Sequence, residues 1–308
     1  MDEQTVDRTN AARAVADALP ADASVDRTVP IDAGTNDVFR VETCVGDRVV
    51  KFNTYSEFAT MAAEVEIYRL LADTDVPVPG VVHADLDSDP AYFVMDALSG
   101  APPTEARPAL TEQMGETLRA FASVPDVEGY GRLHHEPDAP HSLAASADTW
   151  REYVEWYVDH IFSRYCDRFA DLVDPVRDAV VDRLDAVPRE PDPAVAYHDF
   201  RPANVHVADG EIVGVVDIER ADLGDIRYTL VGTEYLLTRH RLDRADRLRR
   251  ALYAGFGTDP DERVRTCYRA LAVAREIRGF DAWWDDGADE KAANVRRIAE
   301  EVADASND

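Results

Sequence analysis

Three polar side chains stand at the edges of two short β-branched runs in the stretch AYHDFRPANVHVADGEIVGVVDIERADLGD, which spans residues 196–225. Asp199 and Asn204 precede the first run, and Asp217 follows the second. The two runs flank ADGE, and an Asp-Gly pair favours the tight turn of a β-hairpin. A hairpin centred on or next to this pair brings Asn204 and Asp217 together at its open end.

That convergence predicts a magnesium site beside a proton acceptor. An amide oxygen and a carboxylate are hard oxygen ligands that magnesium accepts, with water and phosphate oxygens completing its coordination. Asp199 lies on the loop that enters the hairpin, where its carboxylate can accept a proton from a group that attacks a metal-bound phosphate. Each residue alone also suits an ordinary loop hydrogen bond or a turn cap. The combined spacing favours the chemical interpretation.

The elements that must position these residues begin with an N-terminal sheet. Residues 37–52 alternate apolar and polar side chains around VGD, which predicts a β-hairpin. A helix follows over residues 54–73, with Thr54 and Glu57 spaced as a capping box. Residues 91–100 then predict a buried strand that ends in a loop. Together these patterns indicate a small α+β part.

The rest of the chain predicts a larger, mostly helical part. Helical periodicity covers residues 109–188 with one break, and it returns over residues 226–302. The hairpin at residues 205–216 is inserted between these two segments. We therefore expect an α+β fold with two lobes, one at residues 1–98 and one at residues 99–308.

Composition and charge argue against several partners. The chain has 33 Lys and Arg against 61 Asp and Glu, and its net charge of −28 repels phosphate backbones and anionic lipids. It shows no secretory signal and no apolar run of about 20 residues. We expect a cytoplasmic protein without nucleic acid or membrane partners. The acidic, lysine-poor composition also predicts a halophilic protein, and unchanged folding in dilute buffer would contradict that.

Cysteine usage agrees with a reducing compartment. Cys44, Cys166 and Cys267 are widely spaced and form no paired motif. We expect three free thiols that pack as small core residues.

These motifs resemble those of the aminoglycoside phosphotransferase and choline kinase-like family, small-molecule relatives of the protein kinases, over about residues 34–284. YHDFRPANV resembles the family's H-G-D-x-x-x-x-N catalytic loop, which implies that Asp199 is the base and Asn204 a metal ligand. VVDIERADLGD resembles its I-D-[WF]-E…G-D segment, which implies that Asp217 is the principal metal ligand. The acidic positions that support the site correspond to Glu219 and Asp225.

The N-terminal part resembles the same family. GTNDVFRV is similar to a loop over the nucleotide phosphates, with the single glycine Gly34. RVVKF places Lys51, one of two lysines in the chain, late in a strand, like the kinase lysine that contacts phosphates. MAAEVEIYRLL resembles the helix whose glutamate pairs with that lysine, and the matching residue is Glu64. Its neighbours at helical spacing are apolar, so this charge faces inward and requires a partner.

FVMDALSG resembles the hinge between the lobes. The resemblance implies that the backbone near Asp96 and Leu98 hydrogen-bonds adenine and that Met95 lies at the back of the nucleotide pocket. Core packing alone would also account for Met95. In this protein kinase-like fold, residues 1–98 are expected to bind the nucleotide and residues 99–308 the acceptor.

Some positions depart from the family pattern. Tyr197 stands where the family has histidine, and we interpret it as a packing substitute, while His198 occupies the glycine position. Thr229 replaces a second aspartate, which is expected to cost a structural hydrogen-bond acceptor. Asp217 is followed by Ile-Glu rather than Phe-Gly, and no A-P-E motif follows, so a protein kinase is the weaker interpretation.

The resemblance implies an ATP- and Mg²⁺-dependent phosphotransferase that moves the γ-phosphoryl group to a hydroxyl of an aminoglycoside-, choline- or sugar-like molecule. Trp150, Tyr153 and Tyr157 share a helical face, and Trp283 and Trp284 adjoin acids. These aromatic residues line a pocket for a cationic or sugar-like acceptor, or they belong to the core. A nucleotide-binding scaffold without turnover and a protein kinase are the alternatives, and the oligomeric state stays open.

Overall fold

The computed structural model describes residues 6–31, 36–54, 58–122, 127–241, 243–284 and 288–305. Two predicted features lie outside the described residues: Gly34 of the phosphate loop and Glu57 of the capping box. The strands are β1 (Val25–Ile31), β2 (Asp37–Thr43), β3 (Arg48–Phe52), β4 (Val81–Asp85), β5 (Tyr92–Asp96), β6 (Tyr130–His135), β7 (Leu143–Ala147), β8 (Ala194–Ala196), β9 (Val205–Ala208), β10 (Glu211–Val215) and β11 (Asp222–Gly224). The α-helices are α1 (Arg8–Ala18), α2 (Phe58–Ala72), α3 (Pro108–Ala120), α4 (Trp150–Phe162), α5 (Val173–Val181), α6 (Ile226–Thr238), α7 (Ala245–Phe256), α8 (Glu262–Trp283) and α9 (Ala288–Asp304).

The N-terminal part is a five-stranded antiparallel sheet in the order β1-β2-β3-β5-β4. The predicted hairpin is confirmed as β2 and β3, whose register pairs Asp37 with Phe52. The predicted buried strand is β5, of which only Asp96 is exposed. The helix predicted after β3 is α2, and α1 packs apolar residues on the same sheet without having been predicted.

The C-terminal part is mostly helical, with a second sheet that the sequence patterns missed. Four short strands form it in the order β7-β6-β11-β8. Because β6 and β7 fall inside residues 109–188, the prediction of helix was wrong there. The sequence of β7, LAASA, lacks the β-branched and aromatic residues that mark strands, so this strand depends on its pairing with β6.

One hydrophobic cluster is shared by the two parts of the chain. Tyr68 of α2 and Met95 of β5 pack in the same buried cluster as Tyr197, Val205 and Val215. The apolar side chains of α2 and of one face of the N-terminal sheet therefore pack with the segments that carry the predicted site residues.

The cysteines are free thiols, as expected. Cys166 and Cys267 are buried, whereas Cys44 is exposed, so the prediction of core packing was wrong for Cys44. Across the described ranges, no helix has both the length and the apolar character needed to cross a bilayer.

Candidate active site

The predicted hairpin is present, and its open end lies at the predicted site. β9 and β10 are joined by a two-residue turn at residues 209–210, both with positive φ, as an Asp-Gly turn favours. A bulge in β10 shifts the register by one residue, so Val216 donates its N–H to the carbonyl oxygen of Asn204 at 2.9 Å. Asp217 is the next residue, two positions beyond Val215, which a regular hairpin about this turn would place opposite Asn204.

Asn204 holds the loop of residues 197–204, called here the Asp199 loop. Its amide nitrogen donates to the carbonyl oxygen of Asp199 at 2.9 Å, to the Oδ2 atom of Asp199 at 3.1 Å and to the Tyr197 hydroxyl at 2.9 Å. Within the described part of the chain, the amide oxygen of Asn204 has no hydrogen-bond partner. The nitrogen therefore orients the loop, and the oxygen is left for a ligand.

Tyr197 has a more specific role than packing. Its ring is buried, and its hydroxyl donates to the carbonyl oxygen of Val216 at 3.0 Å while accepting from Asn204. Its backbone N–H donates to the hydroxyl of Thr229 at 2.9 Å. The expected loss of an acceptor at Thr229 was wrong, because the threonine hydroxyl supplies that acceptor. Tyr197 thus joins the Asp199 loop to the residue before Asp217.

Asp217 has a left-handed backbone, with φ of 62°. This conformation is uncommon for a residue other than glycine, so its surroundings must hold it. The hydroxyl of Tyr68 in α2 accepts the backbone N–H of Asp217 at 2.9 Å. Sequence reasoning did not single out Tyr68, although it lies one helical turn after Glu64 and faces the same side. The side chain of Asp217 remains 46% exposed.

Lys51 connects the sheet to the loops of the C-terminal part. Its ammonium, in a side chain 7% exposed, contacts the two carboxylate oxygens of Glu64 at 3.0 and 2.9 Å, so the predicted ion pair is confirmed. The same nitrogen lies 3.2 Å from Asp217 and 3.5 Å from Glu219. Burial alone lowers the pKa of Lys51, but the three carboxylates outweigh burial and raise it, which keeps the side chain charged.

Three carboxylates around one ammonium leave an excess of negative charge. Burial raises the pKa of Glu64 to about 7 against the opposing effect of Lys51, and Asp217 adds to the rise. Among the described residues, no group of three His, Cys or carboxylate side chains forms a metal site by itself. The donors that remain are the oxygens of Asn204 and Asp217. Two protein ligands suit Mg²⁺, which keeps waters and takes substrate phosphates as its other ligands.

Asp199 is anchored on one side of its carboxylate. Arg201 donates from Nε to Oδ2 of Asp199 at 3.0 Å, the same oxygen that Asn204 contacts. The side chain of Asp199 is 39% exposed and that of Arg201 is 43% exposed. Sequence reasoning missed Arg201, and its position two residues after Asp199 was the available signal.

His198 belongs to a buried network that adjoins the Asp199 loop. Its Nε2 atom bonds to one carboxylate oxygen of Asp222, which is 0% exposed. The other oxygen of Asp222 accepts from Arg132 at 2.7 Å and from the Tyr153 hydroxyl at 2.9 Å. Arg275 donates to the carbonyl oxygen of His198 at 2.7 Å. The network ties the loop to the central strands of the second sheet, and no motif predicted it.

The two supporting acids lie in different places. Glu219 reaches the ammonium of Lys51, as described above. Asp225 instead caps α6 by accepting the backbone N–H of Arg227 at 3.0 Å and pairs with the same arginine's side chain at 2.7 Å. Asp225 therefore supports the site through the start of a helix and not by direct contact.

The hinge residues lie where the sheet leads into the C-terminal part. Met95 is 8% exposed and packs in the shared cluster, which confirms its place in the core. The N–H of Asp96 donates to the Gly80 carbonyl at 2.9 Å. No backbone hydrogen bond of Leu98 occurs among the described residues, so its N–H and carbonyl are open to a ligand. Its side chain packs directly on Gly214, where an added Cβ would lie 2.2 Å from a Leu98 methyl.

The three aromatic residues of α4 that the sequence offered for the acceptor pocket belong to the core, whereas Trp156 of the same helix is 56% exposed. Trp150, Tyr153 and Tyr157 are 0%, 2% and 8% exposed. Trp283 is 50% exposed, and Trp284 is partly buried. We therefore do not count these three side chains among the residues that contact the acceptor.

The fold and the side chains brought together in it define a two-lobed, kinase-type phosphotransferase. The model of the phosphotransferase enzyme family (APH) matches residues 28–271, and the chain belongs to this family. The match extends from the first strand of the N-terminal sheet into α8, and it includes every described residue predicted for the site. The family resemblance predicted from the sequence is thereby confirmed.

Solved structures show the same fold. The apo form of a thermostable mutant of aminoglycoside phosphotransferase APH(4)-Ia is 18% identical, with a TM-score of 0.71 over 92% of this chain and 95% of that chain. A putative fructosamine-3-kinase from Haemophilus somnus is 14% identical, with a TM-score of 0.61 over 94% and 96% of the two chains. The corresponding protein from Thermobifida fusca is 20% identical, with a TM-score of 0.57 over 89% and 94%. The predicted protein kinase-like fold is confirmed.

Proposed function

We propose that the chain transfers the γ-phosphoryl group of ATP to a hydroxyl group of a small molecule. Residues 1–98 bind the nucleotide, with the backbone of Leu98 meeting adenine and Met95 behind it, and residues 99–308 bind the acceptor. The acceptor oxygen forms a bond to the γ-phosphorus, the bond from that phosphorus to the bridging oxygen breaks, and ADP leaves. The hydroxyl proton passes to Asp199.

Asp199 suits the role of proton acceptor because one of its oxygens is held and the other is not. Arg201 and Asn204 both contact Oδ2, at 3.0 and 3.1 Å. Among the described residues, Oδ1 has no hydrogen-bond partner, so it is the atom that meets the acceptor hydroxyl. A carboxylate fixed in this way supplies both direction and basicity.

The observation that carries the proposal is the convergence of charge on Lys51. The ammonium of Lys51, from the sheet, lies within 3.5 Å of one carboxylate from α2 and of two carboxylates from the C-terminal part. Lys51, held by Glu64, binds the phosphates of the nucleotide. Bound Mg²⁺ would neutralise charge on the phosphates, and the oxygens of Asn204 and Asp217 are the protein ligands that would hold it.

The solved neighbours support a nucleotide and a small acceptor. Other structures of the APH(4)-Ia mutant are ternary complexes with ADP and hygromycin B or with AMP-PNP and hygromycin B. They are 18% identical to this chain, so they support the class of reaction and not the identity of its acceptor.

ADP release in the presence of an acceptor tests the proposal. The purified chain is incubated with ATP, Mg²⁺ and concentrated KCl, and with aminoglycosides, choline, homoserine, sugars or fructosamines in turn. We expect one class of acceptor to stimulate ADP release, and Asp199→Asn to slow it by about a hundredfold to ten-thousandfold. Asp171→Asn is the matched control, since Asp171 pairs with Arg296 on the surface and should leave the rate unchanged.

The same assay separates the alternatives. Nucleotide binding without ADP release, with every acceptor, would favour a scaffold. Phosphate transfer to an added protein and to no small molecule would favour a protein kinase.

A further inference from the structure

Cationic, aromatic and unpartnered polar side chains gather beside the Asp199 loop, where α6 ends and α8 passes. The members are Tyr235, Arg239, His240, Arg275, Glu276 and Trp284, called here the Arg239 cluster. The guanidinium of Arg239 lies 5.7 Å from the ring centre of Tyr235 and 5.3 Å from that of Trp284. It is paired with Glu276, which also accepts the indole N–H of Trp284 at 2.7 Å.

The Arg239 cluster adjoins the proposed base. Arg275 donates at 2.7 Å to the carbonyl oxygen of His198, the residue directly before Asp199. The positive charge of Arg239 interacts electrostatically with Asp199 and with Arg201. An acceptor whose hydroxyl meets Asp199 can therefore extend its other end to this cluster.

Polar atoms of the cluster are buried without partners. In the described part of the chain, the hydroxyl of Tyr235 and both ring nitrogens of His240 form no hydrogen bond. Tyr235 is 2% exposed, so water does not readily replace the missing partner. Buried polar atoms are nearly always paired, because an unpaired one costs free energy. A ligand that accepts a hydrogen bond from Tyr235 would remove this cost.

The cluster also carries an excess of positive charge. Glu276 is paired with Arg239. Arg275 forms no ion pair with the described carboxylates, and its hydrogen bond goes to the neutral carbonyl of His198. In a chain of net charge −28, cations are thus concentrated beside the base.

We propose that the acceptor carries an oxyanion, a carboxylate or a phosphate, near the hydroxyl that receives the phosphoryl group. Arg275 pairs with the oxyanion, Tyr235 donates a hydrogen bond to it, and Arg239 adds attractive charge. The inference rests on the proposed function and narrows the acceptor to hydroxy acids or phosphorylated alcohols. This anionic acceptor is opposite in charge to the cationic acceptor suggested by the aromatic residues, because these guanidinium groups repel cations.

Binding of a matched series of sugars tests the charge preference. A neutral hexose, its uronate, its phosphate ester and its amino sugar are titrated calorimetrically into the full chain with AMP-PNP and Mg²⁺, at one fixed ionic strength. We expect the uronate or the phosphate ester to bind at least about tenfold more tightly than the neutral hexose, and the amino sugar most weakly. Equal binding of all four, or tighter binding of the amino sugar, overturns the proposal. The two anions distinguish a carboxylate site from a phosphate site.

Substitutions at Tyr235 and Arg275 test where the anion binds. Tyr235→Phe removes the unpartnered hydroxyl, so it should weaken binding of the favoured anion several-fold without lowering the midpoint of thermal unfolding. The matched control Tyr130→Phe removes a hydroxyl that donates to the Pro191 carbonyl at 2.9 Å, and it should leave anion binding unchanged.

Arg275→Gln should abolish the difference between the uronate and the neutral hexose, and Arg275→Lys should retain part of it. An anion preference that survives both Tyr235→Phe and Arg275→Gln places the site elsewhere and refutes the assignment.

Failure of the proposed function would be recognised separately. If no acceptor stimulates ADP release but the uronate still binds in an Arg275-dependent way, the anion site stands and the phosphotransfer does not. If ADP release depends on Asp199 but the accepted sugar is the neutral or the cationic one, the phosphotransfer stands and the anion site does not.

Discussion

Two buried charge clusters border the candidate site, and they are balanced in opposite ways. The Lys51 cluster joins one ammonium to three carboxylates, at 2.9, 3.2 and 3.5 Å. The Asp222 cluster joins one carboxylate, 0% exposed, to a guanidinium, a phenol and an imidazole, so that both of its oxygens are bonded. The Lys51 cluster has more negative than positive charge, and two of its acids are partly exposed. In the Asp222 cluster, every oxygen of the carboxylate has a hydrogen-bond partner.

This difference separates groups that await a ligand from groups that hold the scaffold. Excess negative charge raises the affinity for a cation, which under the proposed function is the Mg²⁺ that binds with the nucleotide. A fully bonded carboxylate gains nothing from a ligand, and its removal leaves buried partners uncompensated. The Lys51 cluster should therefore respond to mutation in activity, and the Asp222 cluster in stability.

The largest expected effect is on activity at Asp217. Asp217→Asn keeps a residue type that tolerates a φ of 62° but removes one of the excess carboxylates. We expect phosphoryl transfer to fall about a hundredfold to a thousandfold. The free energy of unfolding should stay equal or rise, because repulsion around Lys51 is relieved. ADP release and urea unfolding of one preparation measure both, and a loss of more than about 1 kcal/mol would make this cluster structural.

The next largest effect is on stability at Asp222. Asp222→Asn leaves the guanidinium of Arg132 without its carboxylate. We expect a loss of about 3 kcal/mol, the lower part of the range for a broken buried ion pair, because the Arg132 side chain is 33% exposed. Urea unfolding measures the loss. Asp171→Asn, in an ion pair with side chains 36% and 65% exposed, should cost less than about 1 kcal/mol. Equal losses in the two variants would contradict the comparison.

A smaller effect is expected at the link between the two loops of the site. Tyr197→Phe removes the hydroxyl that joins Val216 to Asn204. We expect a loss of about 1 kcal/mol in stability, and a rate of ADP release lower by about tenfold, since a hydrogen bond that orients a metal ligand is lost. The Mg²⁺ concentration that the reaction requires should also rise. An unchanged Mg²⁺ requirement would argue that Asn204 does not hold the metal.

The smallest expected effect is on the pH dependence of stability. Burial, aided by Arg275 and Arg132, lowers the pKa of His198 against the opposing effect of Asp222. Burial alone raises the pKa of Asp222, but His198 and Arg132 outweigh it and lower the pKa. Groups with lowered pKa in the folded state stabilise it above their unfolded pKa, so stability should decline as pH falls below about 6.5 and again below about 4.

Comparison with His198→Gln isolates the upper part of this decline. Glutamine does not titrate, so the fall that begins near pH 6.5 should be shallower in the variant, with the remainder due to other histidines whose pKa is lowered, His160, His206 and His240. The fall below about pH 4 should persist. Urea unfolding across the pH range, at constant ionic strength, gives both curves. Parallel curves for the two proteins would show that His198 does not titrate against folding.

The sequence by itself determined much of the Lys51 side of the candidate site. The Asp-Gly turn, the strand that carries Lys51 and the apolar neighbours of Glu64 are local patterns, with the periods of a strand and a helix. Such patterns decide which way a side chain points, and they indicated that Glu64 faces inward. The family resemblance implied that Lys51 is its partner, and the structure contains this pair. The exact register beside Asn204 did not, because a bulge in β10 leaves no mark in the alternation of residues.

Only the tertiary structure decided what surrounds the proposed base, Asp199, on its other sides. Arg132 and Asp222 are separated by 90 positions and meet because β6 and β11 are neighbours in a sheet. Arg275 reaches His198 from α8, and the packing of α6 leaves the Tyr235 hydroxyl without a hydrogen-bond partner among the residues that the structure describes. These contacts depend on which distant elements lie side by side, which is settled by burial of the whole core and is not encoded in any short segment.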